Sequence, residues 1–173
     1  MVILKKTILL KVNKSMKENK IIILILIISI ILIIIDQTSK VIVKSKYNEP
    51  IGNDIISIEL IQNEGIAFGL NNGNTKNIVL TIMILMLIVN FVIKQKDRIT
   101  IPNAISISLI FAGGISNLID RILRGGVIDF IKVNKFAIFN IADCYIVCGW
   151  IMLIIFFIKE NKDIIEVKDC EKN

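Results

Sequence analysis

The sequence predicts an all-α polytopic membrane protein: four transmembrane helices with a small β-element, or cradle, on the outer face. Three observations predict it. Of 173 residues, 54% are hydrophobic and the mean hydropathy is +0.73, whereas a soluble domain holds roughly 45–50% apolar residues. The excess is gathered into long apolar runs, as membrane spans are. The formal net charge of +6 lies mostly in the polar segments between those runs, where it sets orientation in a bilayer rather than binding nucleic acid.

The first run follows a basic segment. Residues 1–20 contain Lys5, Lys6, Lys11, Lys14, Lys17 and Lys20, with Glu18 the single acid; Ile21 to Ile35 is then apolar apart from Ser29. A secretory signal peptide would need a small-residue cleavage site after its apolar core. Here the chain runs instead into Asp36-Gln37-Thr38-Ser39-Lys40 and on through Val41, Ile42 and Val43. The expected first span is therefore uncleaved and covers about residues 21–43.

Residues 44–76 are polar and turn-rich, with Ile56-Ser57-Ile58-Glu59-Leu60-Ile61 alternating in the period of a half-buried strand. This predicts a small β-element on the membrane surface, with Ala67 and Phe68 touching lipid. Spans are expected over about 77–93, 101–119 (Pro102 in its first turn) and 141–158. A basic turn, Lys94–Arg98, separates the second and third. Residues 120–136 read as a loop and 159–173 as a charged tail. The whole chain, 1–173, reads as a single integral membrane domain.

Four spans put both termini on one side. A cytoplasmic N-terminus places the N-terminal lysines, the Lys94–Arg98 turn and the tail inside, in keeping with the positive-inside rule. It leaves Lys44, Lys46, Arg121, Arg124, Lys132 and Lys135 outside. It also gathers the Asp36–Lys40 end of the first span, Asn63–Gly69, Asn117–Arg121, Asp129 and Asp143 at one outer face.

Composition narrows the chemistry. The chain has no histidine, which excludes Ser-His-Asp and Cys-His catalysis and any zinc site with His ligands. Cys144 and Cys148 read as small packing residues on one helix face, and with Cys170 they are too few for a metal or redox site.

Asp129 and Asp143 are costly beside a membrane. As a close pair they would share a proton, one ionised to activate water and the other protonated to polarise a carbonyl. Singly, Asp129 reads as a surface acid, and Asp143 as the first-turn acid of a helix capped by Asn140. Asp36 and Lys40, four apart, read on physics alone as an ion pair at a span end with Lys40 snorkelling to the interface. Gly114 reads as a small residue for close helix packing. Asn117, Asp120 and Arg121 make a polar face, Arg121 presenting a fork of donors.

These segments resemble, in order, those of the bacterial lipoprotein signal peptidases (type II signal peptidases). They are Asp36-Gln37-Thr38-Ser39-Lys40, Asn63-Glu64-Gly65-Ile66-Ala67-Phe68-Gly69, Gly113 to Arg121, Val127-Ile128-Asp129-Phe130 and Phe139-Asn140-Ile141-Ala142-Asp143. The resemblance covers about residues 20–158. It implies an aspartic endopeptidase with Asp129 and Asp143 catalytic. Asp36, Lys40, Asn63, Gly113, Asn117, Asp120, Arg121, Asn140 and Ala142 would shape and orient the site. The implied substrate is a diacylglyceryl-modified prolipoprotein, cut just before the lipidated cysteine.

No metal or organic cofactor and no nucleic-acid partner is expected; membrane lipid is. The chain is expected to work as a monomer in the bacterial cell membrane, with both termini cytoplasmic. Ser116 departs from the glycine usual in the family, and the connection between the two aspartates looks shorter than in some members. The lysine-rich N-terminal segment is outside the resemblance. Two rivals are a small ion-coupled carrier using Asp36, Asp120 and Arg121, and a non-enzymatic lipid-binding factor using the same face.

Overall fold

The computed structural model describes residues 2–47, 49–65, 74–134 and 137–170, with side chains described within residues 15–159 apart from 157. Helices α1 (Val2–Lys46), α2 (Asn74–Gln95), α3 (Ile101–Arg124) and α4 (Ile141–Cys170) alternate in direction, and a four-stranded antiparallel sheet sits at one end. Its strands are β1 (Ile51–Gly52), β2 (Ile56–Asn63), β3 (Val127–Val133) and β4 (Ala137–Phe139), in that spatial order. The expected lipid-touching pair Ala67 and Phe68 lies outside the described residues.

Among the described residues, three helices are long and apolar enough to cross a membrane, within Ser15–Lys46, Asn74–Gln95 and Ile101–Arg124; the apolar part of α4, Ile141–Phe156, is shorter. Their outward faces are aliphatic, as at Ile27, Ile31, Ile34, Met83, Leu87, Ile151 and Ile155. In lipid such exposure carries no penalty, and association depends on close packing instead.

The central helix shows that packing. α3 contacts each of the other three helices, and its buried residues include Ala104, Ser106, Ser108, Ala112, Gly113 and Ser116. A Cβ on Gly113 would lie 2.4 Å from the Ala142 carbonyl oxygen, and one on Gly149 would lie 2.8 Å from the Ser106 carbonyl. The α3–α4 seam therefore closes backbone against backbone. Gly114 faces α2 instead, where the nearest atom is the flexible Leu85 Cδ2 at 3.0 Å. At the end away from the sheet, Ile21, Ile25, Ile99, Ala104 and Ile107 form an apolar cluster, and Lys96 pairs with Glu18 at 2.9 Å.

Four expectations are corrected. The first helix does not begin near Ile21, because α1 starts at Val2; lysine is a good helix former and nothing there interrupts it. The third helix does not stop near Ile119 but at Arg124, followed by Gly125 in the left-handed region at φ 80°. Its terminal charges find partners inside the protein, so they do not break it. Asp129 is on a strand and not in a loop: the β-branched and aromatic run from Val127 to Val133, bounded by Gly125-Gly126 and Asn134, carries a strand signal. Cys148 is exposed and so not a packing residue, while Cys144 is half-buried.

Gly113→Ala should lower stability by about 1–3 kcal/mol by overpacking the backbone contact, and Gly114→Ala by clearly less. Unfolding of both variants in detergent checks this; equal losses would contradict the seam.

Candidate active site

Lys40 lies at the centre of the sheet end of the bundle. Its Nζ is 2.7 Å from Asp36 Oδ2 and 2.7 Å from Asp120 Oδ2, and all three side chains have 0% exposure. The expected snorkelling lysine is thus a correction: Lys40 is enclosed, because two carboxylates and the Asn117 Oδ1 at 3.2 Å receive it. The carboxylates reach further. Asp36 Oδ1 accepts the Ala142 N–H of α4 at 2.8 Å, and Asp120 Oδ2 accepts the Ile128 N–H of β3 at 3.2 Å. One ammonium therefore fastens α1, α3, α4 and β3.

Around it sit residues the sequence reading left without a role. Ser116 donates to Asp36 Oδ2 at 2.6 Å, so the hydroxyl that replaces glycine is used. Gln37 donates to Ser116 Oγ at 2.9 Å and to Asp120 Oδ1 at 3.1 Å. Arg124 pairs with Asp120 and donates to Gln37 Oε1. The four-residue spacing of Asp120 and Arg124 is a signal that could have found this pair.

Asp129 and Asp143 stand above this layer, joined through two asparagines. Asn140 caps α4: its Oδ1 accepts the Asp143 N–H at 2.9 Å, while Asp143 Oδ2 accepts the Asn140 N–H at 3.2 Å. This reciprocal pattern is a capping box. The cap residue is also a bridge, because Asn140 Nδ2 donates to Asp129 Oδ1 at 2.7 Å and to Asn117 Oδ1 at 3.2 Å. Asn117 Nδ2 donates to Asp143 Oδ1 at 2.8 Å.

On the far side Asn63 Nδ2 donates to Asp129 Oδ2 at 3.1 Å. That contact depends on a register shift of one residue between Ile58 and Ile61, which pairs Ile61 with Asp129 and Asn63 with Val127. Side chains alternate along a strand, so without the shift Asn63 would face away.

Each site residue named from the sequence is thus located. Asp129, Asp143, Asn63, Asn117 and Asn140 form one hydrogen-bonded set. Asp36, Lys40, Asp120 and Ala142 form the layer beneath it. Gly113 packs under Ala142. Arg121 is half-buried beside the site, its Nη1 3.4 Å from the Asn117 carbonyl.

Residues 28–159 match the family described as signal peptidase (SPase) II. The chain belongs to that family, and it is a peptidase. A lipoprotein signal peptidase of Staphylococcus aureus (strain Mu50) is 38% identical over 146 residues, covering 78% of this chain and 89% of the relative. One of Streptomyces coelicolor is 36% identical over 132 residues, and that match spans 64% of the relative's length. A solved structure titled as a bacterial membrane enzyme superposes with TM-score 0.71 at 34% identity, covering 80% of this chain and 90% of that one.

In this family member Asp129 is 4% exposed. Burial, and secondarily the Asp143 charge, push its carboxyl up to about 6, against the opposing hydrogen bonds of Asn63 and Asn140 and the Lys40 charge. The two aspartates therefore feel each other, and Asp129 is the one made reluctant to ionise.

Two outcomes are expected. Lys40→Met leaves two buried carboxylates facing each other and should cost about 3–5 kcal/mol in detergent unfolding; a loss below about 1 kcal/mol, the range of an exposed pair, would show that the ammonium fastens little. The second concerns pH. The folded value of Asp129 lies above the ordinary 3.8, so the folded protein holds this proton more tightly than the unfolded chain does. Its stabilising contribution is fullest below about pH 4 and is lost as the pH rises through about 6. Asp129→Asn undergoes no such loss, and should gain on the wild type between pH 4 and 7 by on the order of 2–3 kcal/mol. Melting curves of the two proteins side by side across that range give the measurement, and a pH-independent difference would contradict it.

Proposed function

We propose that this peptidase is an aspartic endopeptidase that removes the signal peptide from prolipoproteins whose cysteine already carries diacylglycerol, cutting just before that cysteine. The observation that carries the reading is the pairing of Asp129 and Asp143 across Asn140 and Asn117, where every carboxylate oxygen accepts an N–H. Lipoprotein signal peptidase is the name borne by relatives from Staphylococcus aureus and Streptomyces coelicolor.

In the reacting form the pair holds one proton, on Asp129, whose burial favours keeping it, and Asp143, at the start of α4, acts as the base. Asp143 takes a proton from water as that water attacks the scissile carbonyl. Asp129 donates its proton to the carbonyl oxygen, giving a tetrahedral diol. On collapse, the proton held by Asp143 passes to the leaving amine and Asp129 recovers its own from the diol hydroxyl. The products are one carboxylic acid and one amine, and both carboxyls return to their starting state. Asn63, Asn117 and Asn140 orient the pair; Asp36, Lys40, Asp120, Gly113 and Ala142 hold the elements that bear it; Arg121 faces substrate.

The protein acts as a single four-span domain of the bacterial cell membrane, with α4 as the fourth span. Both termini are cytoplasmic and the sheet end faces out, in keeping with the basic N-terminal segment and Lys94–Arg98 turn. A substrate anchored by its lipid then meets the pair at the interface. An ion carrier would need charges near mid-bilayer, whereas among the described residues the buried polar groups of α1 and α3 away from the sheet end are the uncharged Ser29, Ser106 and Ser108.

Purified wild type should cleave a diacylglyceryl-cysteine lipopeptide and leave the unlipidated peptide intact. Asp129→Asn and Asp143→Asn should each lose on the order of a thousandfold or more in rate while remaining folded in detergent. Binding of the lipopeptide without cleavage by a folded wild type would favour a lipid-binding factor instead.

A further inference from the structure

Among the described residues, buried side-chain atoms without a hydrogen-bond partner are Asn74 Oδ1, Asn77 Oδ1, Asn103 Oδ1 and Arg121 Nε. Native structures leave few such groups, and each calls for an explanation. Asn103 is at the far end of the bundle. The other three lie at the sheet end of the bundle: Arg121 is one turn along α3 from the Asn117 that holds Asp143, and Asn74 and Asn77 open α2. Asn74 Nδ2 donates to the Arg121 carbonyl at 3.1 Å, and Asn77 Nδ2 donates to the Glu64 carbonyl at 3.4 Å, next to the Asn63 that holds Asp129.

Asn77 is 3% exposed, so its carbonyl oxygen is hidden from bulk water while lacking a partner. Neither amide gains by turning over, because each NH2 group already faces a backbone carbonyl and reversal would set two acceptors together. Asn74 and Asn77 are three residues apart in the opening of α2 and share a face. The corner therefore offers two neutral acceptors and one cationic donor. A lipid ester has carbonyls for the donor but no N–H for the acceptors. A peptide backbone has both.

We infer that Asn77, with Asn74 beside it, receives backbone N–H groups of the substrate peptide while Arg121 Nε donates to one of its carbonyls, fixing the peptide's register against Asp129 and Asp143. This rests on the proposed prolipoprotein substrate and adds a peptide-binding corner on α2 to it. The charged layer around Lys40 plays no part, since its groups are already satisfied within the protein.

The test is a double-mutant cycle on the full chain in detergent. A diacylglyceryl lipopeptide is prepared with each backbone amide of the three residues before the cysteine, the scissile amide excepted, replaced one at a time by an ester. At one position the ester should cost the wild type about five- to tenfold in kcat/KM, the scale of one hydrogen bond. Asn77→Leu should lose a similar factor on the all-amide lipopeptide and lose nothing further on that ester. A residue that only supports the fold would give losses that multiply at every position, and that result overturns the inference. If Asn77→Leu melts below the assay temperature, Asn77→Ser is carried through the same cycle. A wild type that does not cut even the all-amide lipopeptide overturns the substrate reading itself, an outcome separate from multiplying losses.

Discussion

The structure depends on one enclosed ammonium. Lys40 Nζ lies 2.7 Å from both the Asp36 and Asp120 carboxylates, where water cannot share the work of solvating any of them. Taking three charges out of water is costly, and their mutual attraction offsets that cost only when the remaining lone pairs are also satisfied. They are: Asp36 takes the Ser116 hydroxyl and the Ala142 N–H, and Asp120 takes Gln37, Arg124 and the Ile128 N–H. Such a cluster tolerates little displacement. It specifies where four elements meet more than it adds to stability.

That specification is what the aspartate pair requires. Asp129 comes from a strand and Asp143 from a helix, so their relative position is fixed by neither local element. The strand is tied down through Ile128 N–H and the helix through Ala142 N–H, each one residue from its aspartate. Both ties end on carboxylates that share Lys40. Asn117 and Asn140 then link the charged layer to the pair, since Asn117 Oδ1 accepts from Lys40 as well as from Asn140. The proposed chemistry needs two carboxyls in different environments, and burial of Asp129 on the sheet, against Asp143 at the start of α4, supplies them.

Lipid sets the rest of the design. Aliphatic faces along α1, α2 and α4 would be a liability in water but cost nothing in a bilayer. The helices are therefore free to pack through small residues, and Gly113 and Gly149 let α3 and α4 touch at the backbone. The same closeness brings Ala142, and with it the start of α4, within reach of Asp36.

Much of this was legible in the chain. Apolar runs determine the long helices, the alternation of residues 56–61 determines β2, and the spacing of Asn140 and Asp143 determines the cap, because each is a property of neighbouring residues. The ends of elements were less so: α3 outruns Ile119 because Asp120 and Arg124 find partners that hydropathy does not register. The strand bearing Asp129 had a local signal in its β-branched run, hidden behind its reading as a loop. What only the tertiary structure decided are the contacts between residues far apart in sequence. They are Lys40 enclosed rather than at the surface, Asn63 turned toward Asp129 by a one-residue shift in pairing, and the unpartnered Oδ1 of Asn77. None follows from composition or period, because each depends on which groups the fold brings close enough to compete with water.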